Sequence, residues 1–412
     1  MITGLLKKKS MIRIISLCDQ VFFSAANFIF TILLAKYYSE VELAAYGIGL
    51  SIAITLQGIQ RNTYMIQNSV LLPRILRRRA TKVMGQQVIV WGFLFCAEML
   101  VWGLYVVSGG ESPLVLGAFY STIVLTLIYI QLDFDRILLI KHERFVDPLV
   151  TSFLFLGVTG ALFFAIPRFA LSYEAMMAII GIFTFIKSFW LILIIGPPHL
   201  YWGWRFMIRD FRKYIVASLL GVGGYAAYNN FPIFILSAVT APIQSAAFAA
   251  MRSLLQPLLV VVRSLDIIDK NFFQNQDKSL AGLRRSFLRL LFLYGAGALV
   301  MVLGMAVFGH SVVHLVYGEK YAPYSGLLFG WGLVFFMLTI SNPIETVIVK
   351  RGKLNLYNLY RIPAGVVGLG LAMVLCRPYG AWGAIWACFG GWVVSVCLAL
   401  WLIREVIFIK KQ

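Results

Sequence analysis

Three charged side chains stand inside stretches that are otherwise apolar. Arg252 lies in FAAMRSLLQPLL (Phe248–Leu259), near the centre of an apolar run from Ala241 to Val262, with no carboxylate within twelve residues on either side. Glu98 lies in FLFCAEMLVWG and Lys187 in FTFIKSFW. Placing an Arg or Lys at the centre of a membrane helix costs about 2.5–3.5 kcal/mol on the insertion scale. Such a residue is kept for a partner, an aqueous cavity or a ligand. Glu98 and Lys187 have opposite signs and could neutralise each other as a buried pair. Arg252 has no acid near it in the sequence, and this predicts that it faces water or a ligand that brings negative charge. A guanidinium is a planar fork of donors that suits phosphate and pyrophosphate. A lipid phosphate or pyrophosphate is the anion that also belongs in a bilayer. Arg252, with Lys187, is therefore the expected substrate-binding pair for such a headgroup. Glu98, or Asp19 nearer the cytoplasmic mouth, is the expected carrier of a coupling proton or cation.

Enzyme chemistry is poorly provided for. The only histidines are His142, His199, His310 and His314. The last pair has an i, i+4 spacing that could bind a metal on a helix, but Glu319 is the only acid close by. No Walker A sequence is present, so nucleotide hydrolysis is not intrinsic. The cysteines Cys18, Cys96, Cys376, Cys388 and Cys397 show no metal or redox spacing. No catalytic residue, metal or cofactor is expected.

The elements that must hold these charges are membrane helices. Of 412 residues, 60% are hydrophobic and only 13% charged, and the mean hydropathy is +0.85. Twelve apolar runs are each long enough to cross a bilayer. They cover roughly 12–35, 43–65, 86–107, 114–132, 149–167, 174–195, 214–236, 241–262, 290–308, 324–348, 360–376 and 381–403. The first, preceded by KKKSMIRIISLC, is read as a retained span, since its apolar region is long and no small-x-small cleavage site follows. Connectors after odd-numbered spans carry only Lys36, Arg168, Lys320 and Arg377 of the 36 Lys and Arg. This bias places both termini and the basic connectors in the cytoplasm. It accounts for the net charge of +19 through orientation and anionic lipid headgroups, without nucleic acid.

The two halves share a design. Shifted by 202 residues, Asn27 meets Asn229, Leu34 meets Leu236, Ala44 and Ala45 meet Ala246 and Ala247, Ser51 meets Ser253 and Arg61 meets Arg263. Arg252 falls opposite Leu50, so its charge is an addition to the repeat. The expected architecture is all-α and polytopic, with about twelve transmembrane helices in two six-helix lobes, 1–200 and 201–412, related by a parallel repeat. Such repeats characterise many transporters. The seam, GPPHLYWGWRFMIRDFRK (Gly196–Lys213), holds Pro197 and Pro198 with aromatic and basic residues suited to an interface.

Three stretches carry a resemblance. LLAKYYSEVELAAYG (Leu33–Gly47), LVYGEKYAPYSGLL (Leu315–Leu328) and RPYGAWGAIWA (Arg377–Ala387) resemble motifs of the polysaccharide and O-antigen flippases of the multidrug/oligosaccharidyl-lipid/polysaccharide exporter superfamily. Leu43 and Ala44 stand where that family often has Phe-Gly. The resemblance implies a two-lobed transporter of the inner membrane with a cationic central cavity. It would move an undecaprenyl-pyrophosphate-linked oligosaccharide outward by alternating access, with a glycan polymerase and glycosyltransferases as partners. The rival readings are a drug or metabolite exporter of the same architecture and a membrane glycan-assembly enzyme such as a polymerase. A net-positive midplane argues against organic-cation export, and the missing catalytic cluster argues against the polymerase.

Overall fold

The computed structural model describes residues 2–61, 73–259, 262 and 280–407. The described residues are almost entirely helical and include no strand. They run as α1 (Ile2–Tyr37), α2 (Glu40–Gln60), α3 (Pro73–Val107), α4 (Pro113–Thr126), α5 (Leu132–Lys141), α6 (Val146–Phe169), α7 (Tyr173–Ile195), α8 (Leu200–Asn229), α9 (Pro232–Val239), α10 (Pro242–Leu254), α11 (Leu280–Tyr317), α12 (Gly326–Lys350), α13 (Leu354–Tyr379), α14 (Ala381–Leu402) and α15 (Arg404–Ile407). Among these residues ten helical stretches are long and apolar enough to cross a membrane. The chain is a multi-pass membrane protein.

Helix starts follow local chemistry. Ser39 and Glu42 form a reciprocal capping box at the start of α2, satisfying orphan N–H groups. Pro113, Pro232 and Pro242 open α4, α9 and α10 at the first helical position, where no N–H partner is lost. Gly380, at φ +55°, separates α13 from α14.

Two compact units divide the chain, Met1–Ile215 and Val216–Gln412. In the first, α1 packs on α6 and α2 on α4. A Cβ on Gly49 would lie 2.5 Å from Cβ of Ser121 and 2.8 Å from the backbone nitrogen of Thr122, so the close approach of α2 and α4 requires glycine. In the second unit α9 packs on α13 and α10 on α12. The first span thus meets the fifth, and the second meets the fourth, in both units. They differ elsewhere: α11 with α12 and α13 with α14 are heavily packed, whereas the apolar window of α3 is not buried at all.

Two expected spans take a different form. The run 214–236 is not one helix: α8 ends at Asn229, the chain turns at Asn230 and Phe231, and α9 is a separate short helix. The run 241–262 begins as α10, turns at Leu255 and passes beyond the described residues at 260. Pro232 interrupts the backbone ladder that one continuous helix over 214–236 would need. Interrupted helices at membrane depth persist where protein or a cavity satisfies the freed backbone.

Candidate functional site

Arg252 sits near the end of α10 and is half-buried. Its Nη2 donates to Asn230 Oδ1 at 2.8 Å, and its guanidinium carbon lies 5.4 Å from the centre of the Trp331 ring. Asn230 is the residue at which α8 has just ended. Its Oδ1 also accepts from Asn229 Nδ2 at 3.0 Å, and Asn229 Oδ1 accepts from Trp392 Nε1 at 3.1 Å. Arginine and the indole are donors only, which fixes the orientation of both amides. Trp331 is itself held, donating to the carbonyl of Phe248 at 3.1 Å. Asn230 and Trp331 thus position the guanidinium.

A second basic centre of this unit went unrecognised in the sequence. Arg361 on α13 pairs with Glu345 on α12 at 3.3 Å and lies over the rings of Tyr357 and Tyr225 at 4.5 and 5.6 Å. A Cβ on Gly224 would lie 2.6 Å from the carbonyl of Arg361, so glycine lets α8 press against α13 here. Arg361 is the second residue of an expected span, where a basic residue reads as an interfacial anchor.

Residues 1–215 hold a different kind of centre, built around a π-helical turn, Leu127–Gln131, between α4 and α5. Such turns are rare and concentrate at functional sites. The carbonyls of Tyr129 and Ile130 in this turn accept from Gln57 and Gln60 of α2, each at 3.1 Å. The turn delivers α5 with its charged face inward. Arg61 grips Asp133 with two hydrogen bonds, at 2.6 and 2.7 Å. Arg136 donates to Asp19 of α1 through Nε at 2.5 Å and through Nη2 at 3.3 Å. Ser152 of α6 donates to the same carboxylate at 2.5 Å. Arg136 also lies 3.9 Å from Asp133. Asp19, Asp133 and Asp135 are all buried.

Of the four residues singled out by the sequence, Asp19 is therefore tied into an ion pair. Lys187 on α7 lines a small cavity with Asp19, Asp135, Arg136 and Ser152. Glu98 lies on α3 with a buried Oε1 that has no hydrogen-bond partner among the described residues. No ion pair among the described residues joins Glu98 to Lys187. The apolar run 114–132 predicts a span ending before Asp133, Asp135 and Arg136, with these in a cytoplasmic connector, whereas the helix continues to Lys141. The available signal was QLDFDRILLIK, where Gln131 and Asp135 fall one turn apart on one face. Among the described residues no group of three His, Cys, Asp or Glu is placed to hold a metal ion.

No protein-family model and no curated protein matches this sequence. Solved structures do. A lipid II flippase MurJ in an inward closed conformation aligns over 96% of this chain and 87% of its own, with a TM-score of 0.71 at 13% identity. The chain has the fold of that flippase. An inward-facing multidrug resistance MATE family transporter of the MOP superfamily aligns over 95% of this chain and 94% of its own, with a TM-score of 0.55 at 14% identity. A MATE in complex with MaD3S aligns over 96% and 95%, with a TM-score of 0.59 at 14% identity. These structural neighbours are transporters and flippases, and this chain shares their fold.

Proposed function

We propose that the chain is a flippase that carries an undecaprenyl-pyrophosphate-linked oligosaccharide, or a related polysaccharide precursor, outward across the inner membrane by alternating access. The observation that carries this reading is Arg252. It is a guanidinium within an apolar span, held beside a broken helix by an amide oxygen and an indole face. These groups orient its fork, and a pyrophosphate is the membrane-compatible ligand whose geometry and charge the fork matches. The flippase fold of the chain supports the same reading. Lys187 has Asp135 beside it in the unit 1 cavity, so the headgroup role rests on Arg252. Glu98, with its unpartnered oxygen, is the stronger of the two coupling candidates, because Asp19 is already held by Arg136. The topology has both termini in the cytoplasm, and the glycan polymerase and glycosyltransferases of the same pathway are the partners.

The test is glycan export in cells that depend on this chain, with each variant at matched protein level. Arg252→Ala abolishes export while the protein still inserts. Arg252→Lys retains part of it, since charge survives but the fork does not. Full export by Arg252→Ala removes the arginine as the headgroup site.

A further inference from the structure

Within the network in residues 1–215, one carboxylate oxygen of Asp135 is left over. Gln131 Oε1 accepts from Trp91 Nε1 at 2.8 Å and from Gln87 Nε2 at 3.1 Å. An indole N–H can only donate, so the amide orientation of Gln131 is fixed. Its Nε2 must then face Asp135, and it donates to Oδ1 at 2.7 Å. Asp135 is 2% exposed, and its Oδ2 has no hydrogen-bond partner. Buried polar atoms without partners are uncommon and call for a specific cause. Here Asp135 lines the small cavity that it shares with Asp19, Arg136, Thr151, Ser152 and Lys187.

The neighbours of Asp135 define what that cavity accepts. On its own helix, Asp133 is held by Arg61 and Arg136 is held by Asp19. From α1 comes Asp19, already bound by Arg136 and Ser152. From α6 come Thr151 and Ser152, and Asp147, which pairs with Arg144 at 2.6 Å. From α3 come the neutral Gln87 and Trp91, and from α7 comes Lys187. The other acids are answered by arginines, so Lys187 is the cation left facing Asp135. A metal cation would sit against that ammonium and against Arg136, and an anion would sit against two carboxylates. A proton and a water fit: a protonated Oδ2 can donate to the water, and when the proton leaves, Lys187 balances the carboxylate.

We propose that Asp135 is a proton-exchange site, with Oδ2 as the atom that takes and releases the proton and Lys187 as its fixed counter-charge. On release the Oδ2–H bond breaks, its electron pair stays on the carboxylate, and the proton leaves as hydronium through water in the cavity. On uptake the same steps reverse. Asp19 and Glu98 do not exchange this proton, so the coupling ion left to Glu98 is a cation. This assignment is independent of what the chain transports, and it is read without transport.

The experiment is pH-difference infrared spectroscopy of the full chain in lipid nanodiscs, stepped from mildly acidic to mildly alkaline conditions. A protonated carboxyl C=O band that disappears as pH rises is expected in the unaltered chain, in Asp19→Asn and in Glu98→Gln, and its absence is expected in Asp135→Asn. Asp135→Glu keeps a titrating band, which separates loss of the proton site from loss of the fold. Gln131→Leu keeps the band but moves it to higher wavenumber, because the carbonyl oxygen Oδ1 loses its donor. A band that survives Asp135→Asn, or one that Glu98→Gln removes, overturns the proposal. So does a chain with no titrating band whose melting temperature rises with sodium, which would make the occupant a metal cation.

Discussion

The two units each bury positive charge and each pairs arginine with acid, Arg361 with Glu345 in the second, but the second also holds Arg252 in a different way. In residues 1–215, Arg61 and Arg136 are gripped by Asp133 and Asp19 at hydrogen-bond distance. In residues 216–412, Arg252 is met by the amide of Asn230 and the face of Trp331. Both centres sit where a helix loses its regular ladder, at the π turn Leu127–Gln131 and at the break around Asn230. An acid that meets a guanidinium cancels its field and fixes a helix. A dipole or a ring aims the guanidinium. The first arrangement suits architecture, and the second suits the ligand recognition proposed for Arg252.

The largest expected effect comes from unbalancing the first centre. Arg136→Met alone leaves Asp19 buried with only Ser152, and a broken buried pair costs about 3–5 kcal/mol. Asp19→Leu together with Arg136→Met removes both charges, and stability returns to near or above the starting value. Thermal unfolding of the purified variants in detergent measures this. If the single and double changes destabilise equally, the pair is not the architectural element described. Next comes Arg252→Ala. Loss of a ring contact and a hydrogen bond, about 1 kcal/mol each, is offset by relief of the insertion penalty. Its unfolding free energy is expected within about 1 kcal/mol of the unaltered chain, with equal or better expression. A collapse in expression restored by a second change at an acid would move Arg252 into the architectural class.

Glu98→Gln sharpens the comparison from outside both centres. With Oε1 buried and unpartnered, the neutral amide should be tolerated within about 1 kcal/mol, the scale of ordinary substitutions. Gradient-driven transport should weaken if Glu98 carries the coupling ion. Normal transport by a well-expressed protein excludes it. The smallest effect lies at the end of the second unit. There Glu405 of α15 is met by Arg351 at 2.9 Å and Lys353 at 3.6 Å. The hydrogen bond from Arg351 and the charge of Lys353 hold this exposed carboxyl below its ordinary range. A lowered native value means the stabilisation is present above the unfolded-state pKa, about 4.3, and fades as pH falls through the lower native value. Hydrogen exchange of Val406 and Ile407 should therefore quicken, relative to α14, only in that acidic range. No such acid-specific quickening in the native chain, or its persistence in Glu405→Gln, contradicts the role given to this pair.

The helical membrane architecture was legible because uninterrupted apolar runs and a one-sided basic bias are strong signals. Arg252, Lys187, Glu98 and Asp19 stood out because each is an isolated charge in such a run. Asp133, Asp135 and Arg136 did not, because clustered charges lower local hydropathy until the stretch reads as a connector. Asp133 and Arg136 meet partners 72 and 117 residues away, which no local window sees. Arg361 was obscured for the same reason, at the edge of its span. The interruption at Asn230 was signalled by Pro232, but a proline at that position also opens ordinary helices, so composition alone did not separate one span from two pieces.

The central claim is that Arg252 binds the anionic headgroup. It is tested most directly by reconstituting the purified chain in liposomes and measuring translocation of an undecaprenyl-pyrophosphate-linked oligosaccharide by accessibility of the glycan to an external lectin. Transfer is expected from the unaltered chain, partial transfer from Arg252→Lys and none from Arg252→Ala at equal reconstituted protein. Transfer by Arg252→Ala at the rate of the unaltered chain would contradict it.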